Sequence, residues 1–200
     1  MKCALCEEEA TLHCRICGKS ICGVHVRIFP ACATHKAEVS RNYSIYESTE
    51  EDRKEVRVMV KLFWGEPEQL AFGQLYLVES LPAFLVKSGN RRLGFLSYAE
   101  RFSDLLIVAI GVLPKYQGIG VGKALMKKIE EKARVLLKKR LLVSVSNDNL
   151  FALSFYQSLG FRIFEIKQNA ITEKHGGTLL GVEKIPVNDE LRLEKNLTEL

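Results

Sequence analysis

The 200-residue sequence predicts an α/β fold, a mixed sheet with helices on both faces, preceded by a small Cys/His-rich module. Three observations carry that expectation. All six cysteines fall within the first 32 residues, interleaved with histidines at matched spacing. From about residue 55 onward, short β-branched apolar runs alternate with runs of helical period. Within that second zone, IVAIGVLPKYQGIGVGKALM joins an apolar run to an amphipathic one through a glycine-rich turn.

Composition bounds the class. With 47% hydrophobic and 26% charged residues, the chain is ordinary globular material, neither disordered nor membrane-like. Its longest apolar run, 105–113, is far short of the ~20 residues that cross a bilayer. MKCALCEEEA lacks the apolar stretch of a signal peptide, so a reducing, cytoplasmic setting is expected. The net charge is +5, and residues 123–140 alone hold eight Lys/Arg against two Glu. The basic excess therefore sits on one helix. It reads first as a solvated face and second as an attraction for an anionic cofactor.

At the N-terminus, four couplets recur: Cys3-x2-Cys6, Cys14-x2-Cys17, Cys22-x2-His25 and Cys32-x2-His35. Eight ligands suffice for two closed, structural, tetrahedral zinc sites. Disulfides would leave the spacing of His25 and His35 without a reason, and His13 is a spare beside Cys14. The pattern resembles cross-brace fingers of the B-box type. That resemblance implies that Cys3, Cys6, Cys22 and His25 share one zinc, and Cys14, Cys17, Cys32 and His35 the other. Spacing alone leaves sequential pairing open. Residues 1–38 hold five Lys/Arg and four Asp/Glu, and six thiolates outweigh two zinc ions, so the loaded module is slightly negative. It is thus a poor phosphate binder, and protein contact or intramolecular docking fits better. The predicted organisation is a zinc module at 1–38, a polar linker or solvated helix at 39–54, and one α/β domain at 55–200.

The elements of that domain follow in order. Residues 56–64 mix β-branched and aromatic residues and read as a strand; 66–77 reads as a short helix with Pro67 in its first turn. Residues 83–87 and 92–100 read as strands of a hairpin turning at Ser88-Gly89-Asn90. The apolar run 104–112 reads as a buried strand stopped by Pro114. In 120–139, Val121, Leu125, Ile129, Ala133 and Leu136 recur at helical spacing. A strand at 141–145, a helix at 150–159 stopped by Gly160, and strands at 161–166 and 190–197 complete the set. ITEKHGG, holding His175, reads as loop.

The glycine-rich turn opens a helix whose first amides lack intrahelical partners, which suits an anion. A P-loop register fails twice, because Gln117 and Ala124 stand where Gly and Ser/Thr are needed. The dinucleotide register GxGxxG fails as well, meeting Lys123 or Leu125. What remains is Gln-x-x-Gly-x-Gly, formed by Gln117, Gly120 and Gly122. Further on, VSVSNDNLFALSFYQSLGF places Asn149, Tyr156, Gly160 and Phe161 after the next strand. Together the two motifs resemble the GNAT family of acetyl-CoA-dependent N-acetyltransferases, over roughly 104–162.

The resemblance implies the acyl-CoA N-acyltransferase fold over about 55–200. It also implies roles. Ile110, Gly111 and Val112 would meet the acetyl-pantetheine end, with the Val112 amide polarising the thioester carbonyl. Gln117, Gly118, Ile119, Gly120, Val121, Gly122 and Lys123 would hold the diphosphate of acetyl-CoA. Asn149 would contact the cofactor arm, and Tyr156 would protonate the leaving thiolate. Gly111 is consistent with a bulge that splays the strand. Ile119 departs from the Arg or Lys that many members carry, and Lys115 or Lys123 could replace that charge. For Asn149 the residues themselves also suggest a helix N-cap.

Acetyl transfer to an amine needs a neutral nucleophile, an oxyanion donor and an acid for the thiolate. Beyond Asp104 at its start, the 104–112 run carries no interior carboxylate, so Glu100, Glu173, His175 or a water chain are the candidate bases. The expected function is N-acetyl transfer to an amine acceptor, small molecule or protein, with the zinc module recruiting the acceptor or a protein partner. A non-catalytic acetyl-CoA-binding module is the alternative. Nucleic-acid binding through the Lys-rich helix is a third reading.

Overall fold

From residue 43 onward the chain builds a seven-stranded sheet in a computed structural model, which describes residues 2, 7, 9, 12–13, 20–21, 43–181 and 184–197. The predicted zinc ligands Cys3, Cys6, Cys14, Cys17, Cys22, His25, Cys32 and His35 lie outside the described residues. In that N-terminal region β1 (Leu12–His13) pairs antiparallel with β2 (Ser20–Ile21).

The sheet begins with β3 (Ser44–Glu47), followed by α1 (Arg53–Trp64). A separate hairpin, β4 (Glu68–Ala71) and β5 (Gln74–Leu77), comes next. Then β6 (Ala83–Ser88), β7 (Arg91–Glu100) and β8 (Asp104–Val112) form an antiparallel meander. They are followed by α2 (Val121–Val135), β9 (Arg140–Ser146) and α3 (Leu150–Ser158). The chain continues through β10 (Arg162–Lys167), α4 (Ala170–His175), a small hairpin of β11 (Leu179–Leu180) and β12 (Pro186–Val187), and β13 (Glu190–Asn196). Sheet order is β10-β13-β9-β8-β7-β6-β3, with β8 and β9 the parallel pair.

Both faces are covered because β6 and its neighbours alternate. Phe84 and Val86 point to the face that holds Leu125, Met126 and Ile129 of α2. Ala83 and Leu85 point to the other, against Val56, Met59 and Val60 of α1. No helix among the described residues is long and apolar enough to cross a membrane.

Four expectations are corrected. Residues 56–64 are helical, not a strand. Val56, Met59, Val60 and Phe63 fall at i, i+3, i+4 and i+7, and the period was hidden by apolar Val58 and Leu62 on the exposed side. Gly65, at φ 77°, closes this helix with its amide on the Lys61 carbonyl. Residues 66–77 are a hairpin, not a helix: Phe72 and Gly73 both take positive φ, and Leu70 pairs with Leu75. The 39–54 linker is not all linker, since Ser44–Glu47 is the sheet's edge strand and α1 starts at Arg53. Finally, ITEKHGG is mostly α4 rather than loop.

Candidate active site

The site starts where β8 and β9 part. They pair only from Asp104–Arg140 to Ile107–Val143. Beyond that, β8 stays on β7 as far as Gly94–Val112, while β9 stays on β13. A one-residue register shift opposite Ser97 and Tyr98 places the extra residue of β8 at Val108. The bulge predicted at Gly111 therefore sits three residues earlier. Gly111 is needed for a different reason: a Cβ there would lie 2.6 Å from Phe63 Cδ2 of α1.

This notch exposes backbone. The Leu113 amide donates to the Leu93 carbonyl at 2.8 Å, so Leu113 faces β7. Strand alternation then turns the Val112 and Ile110 amides the other way, into the notch. Gln117 reaches back to the same place and donates its Nε2 to the Val112 carbonyl at 2.9 Å.

The glycine loop sits directly beyond. Gly118 and Gly120 have φ of 78° and 96°, left-handed values that other residues reach only at a cost. At Gly120 a Cβ would find nothing within 4 Å, so the space above the loop is open. The first intrahelical bond of α2 runs from Ala124 N to Gly120 O, leaving the Val121, Gly122 and Lys123 amides for another acceptor. Gly122 faces Phe155, whose ring a Cβ would meet at 3.3 Å. Ile119 is 5% exposed and packs in the main core. Its side chain anchors the loop instead of offering a charge, while Lys123 stands exposed at the rim.

Asn149 and Tyr156 come from α3. Asn149 is the N-cap, its Oδ1 accepting from Ala152 N at 3.1 Å. Tyr156 is 3% exposed, held edge-on between Phe155 and Phe161. Burial pushes its phenol well above the ordinary tyrosine range, which keeps it a proton donor.

Two cavities meet here. The larger, about 520 Å³, is walled by Ile110, Val112, Gln117, Gly118, Ile119, Gly120, Gly122, Lys123, Asn149 and Tyr156, with Phe151 and Phe155 on its apolar side. Of the predicted cofactor residues only Gly111 and Val121 stay behind its surface, Val121 being a core residue. The open cradle at Gly120, the free amides and the unpaired strand edge suit a long ligand with an anionic middle and an amide-bearing arm. The second cavity, about 250 Å³, shares Ile110, Asn149, Ala152 and Tyr156 with the first.

The second cavity draws its polar groups from distant segments. Glu66 follows α1, Lys174 and His175 end α4, and Glu190 opens β13. Glu66 Oε1 and Lys174 Nζ are 2.5 Å apart. Glu190 is buried; its carboxylate accepts from the Phe72 amide at 2.6 Å and pairs with Arg192 at 2.8 Å. That seats the β4–β5 turn, with Arg101 and Arg192 each 4.9 Å from the Phe72 ring. Of the four candidate bases, His175 lines this cavity; Glu100 and Glu173 do not, Glu100 lying at the far end of β7 beside Lys138. Glu66, Lys174 and Glu190 were missed in the sequence, because no local pattern links them.

A strand notch ending on free helix amides, and meeting a second cavity at a buried tyrosine, defines an enzyme that moves an acyl group from a phosphate-bearing carrier to an acceptor. Over residues 42–161 the chain matches the acetyltransferase (GNAT) family and belongs to it; it is an acetyl-CoA-dependent acetyltransferase. The uncharacterized protein YxbD of Bacillus subtilis (strain 168) is 31% identical over 139 residues, covering 67% of this chain and 86% of YxbD. In fold, the chain is similar to a GNAT family acetyltransferase from Elizabethkingia anophelis with acetyl-CoA bound. That pair has a TM-score of 0.61 and 23% identity, covering 78% of this chain and 99% of the other. It is also similar to the ribosomal-protein-S18-alanine N-acetyltransferase from Escherichia coli, with a TM-score of 0.59 and 16% identity over 79% and 96% of the two chains.

Proposed function

We propose that the protein transfers acetyl from acetyl-CoA to an amine that enters the second cavity. The observation that carries this is the shared wall: Ile110, Asn149, Ala152 and Tyr156 border both cavities. A donor lying along the notch and an acceptor in the smaller cavity would meet at that wall. Gln117 through Lys123 would hold the diphosphate, with backbone amides as the main donors. The Val112 amide faces the notch and suits the thioester oxygen. Tyr156, kept neutral by burial, suits protonation of the departing sulfur. Glu66 and His175 line the second cavity and would take a proton from the amine.

The reading extends to the N-terminus. Cys3, Cys6, Cys14, Cys17, Cys22, His25, Cys32 and His35 would bind two structural zinc ions, and the module would recruit a protein acceptor or partner. Reduced thiolates of this kind fit a cytoplasmic setting. Metal analysis of the purified chain should find two zinc per molecule; none would remove this part.

The test of the activity is acetyl-CoA-dependent CoA release across a panel of small amines, polyamines, lysine peptides and peptides with free N-termini. Turnover on at least one class is expected, slowed about 10²-fold in Tyr156→Phe. Saturable acetyl-CoA binding with no turnover on any class would overturn the transferase reading in favour of a binding module.

A further inference from the structure

We propose that Lys174 is a self-acetylation site, filled by the enzyme's own chemistry when no acceptor is bound. The inference rests on the transferase reading above. Lys174 is the one lysine among the described residues that line the second cavity, which Ile110 and Tyr156 also line. Its side chain is 15% exposed, lying inward rather than in solvent. A primary amine is the functional group this cavity is read to accept, and here one is tethered inside it. Glu66 holds the ammonium at 2.5 Å, giving it a fixed seat and an adjacent carboxylate. Tethering replaces a bimolecular encounter with a local one, a large kinetic advantage.

The step balances. Lys174 Nζ gives one proton to Glu66, and its lone pair forms a C–N bond to the acetyl carbonyl carbon. The C–S bond then breaks, and the sulfur takes a proton from the Tyr156 phenol. The second nitrogen proton returns through solvent to Tyr156, and Glu66 releases its proton. The net change is one amide, one thiol and one proton from an ammonium and a thioester. Acetylation also abolishes the Glu66–Lys174 ion pair, which ties the segment after α1 to α4 beside the cavity. The modified enzyme therefore has an acceptor wall with one cation fewer.

The full chain is incubated with acetyl-CoA and no acceptor, then read by intact mass and by peptide mapping. One acetyl group per chain is expected, on Lys174, with a first-order rate independent of protein concentration. It should form at least about tenfold faster than at Lys128, an ion-paired surface lysine on α2. Lys174→Arg should lose the increment, and Tyr156→Phe should slow it. Acetyl spread evenly over surface lysines, a rate rising with protein concentration, or an unmodified Lys174 in an enzyme that turns over free amines would overturn the proposal while leaving the transferase reading intact. Failure of both Lys174 and every free amine, with acetyl-CoA bound, would overturn both.

Discussion

Gln117 donates its side-chain amide to the Val112 carbonyl, clamping the glycine loop to the end of the strand it follows. One side chain thus sets the distance between the glycine loop and the open end of the notch. Gln117→Ala should raise KM for acetyl-CoA roughly fivefold, the worth of about 1 kcal/mol for a lost hydrogen bond, with kcat little changed. Gln117→Glu should be worse, since a carboxylate would face both that carbonyl and the phosphates. Steady-state kinetics with calorimetric CoA binding would check the order.

Gly111 and Phe63 form a second coupled pair. Gly111→Ala should destabilise by about 1–3 kcal/mol, because the new methyl has the ring to displace. Phe63→Leu opens that space, so the double variant should lose less than the two single losses combined, by about 1 kcal/mol. Additive losses in thermal or urea unfolding would show that the glycine is there for another reason.

Tyr156→Phe keeps the ring contacts with Phe155 and Phe161 and removes only the hydroxyl. Stability should hold, while kcat falls by about 10²-fold and KM for acetyl-CoA stays within about twofold. Because burial raises the phenol's pKa, wild-type kcat should not decline as pH climbs toward about 10, where an ordinary tyrosine ionises. A descending limb below that, absent in Tyr156→Phe, would overturn the raised pKa, and a kcat left unchanged in Tyr156→Phe would remove the assigned role.

Glu47 supplies a pH-dependent tie between the edge strand and α2. The Lys132 ammonium at 2.8 Å and the Tyr98 hydroxyl at 2.7 Å hold its carboxyl below the ordinary range. A lowered folded-state pKa means the contribution is fully present above the unfolded value of about 4.3 and is lost as pH falls through the folded value. Glu47→Gln should therefore lower Tm at neutral pH and flatten its decline in acid. An unchanged acid slope would place that sensitivity elsewhere.

Legibility in the sequence followed locality. The run 104–112 matched its strand to the residue, because beyond Asp104 this buried central strand carries no polar side chain and Pro114 stops it. The glycine turn at the head of α2 and the short helix carrying Asn149 and Tyr156 were legible because local backbone geometry sets both. Residues 56–64 misled, since β-branched and aromatic residues that prefer strands were placed on a helix whose outer face is also apolar. The 66–77 hairpin misled because Pro67 mimics a helix start, while its turn demands a positive φ from Phe72, a rare choice. The acceptor side was illegible for a stronger reason. Glu66, Lys174 and Glu190 lie on segments joined only by the tertiary fold, through Lys174–Glu66 and Glu190–Phe72.

The early parting of β8 from β9 has a consequence for observation. Four register pairs, Asp104–Arg140 to Ile107–Val143, close the strands at one end, and the Ile110 and Val112 amides beyond them look into the notch. Those two hydrogens are exchange reporters built into the sheet's interior. Surrounded by a hydrogen-bonded meander, they should trade with solvent quickly when the notch is empty and slow when an arm lies along it. Occupancy of the donor seat could then be followed at two backbone positions, without a label and without turnover.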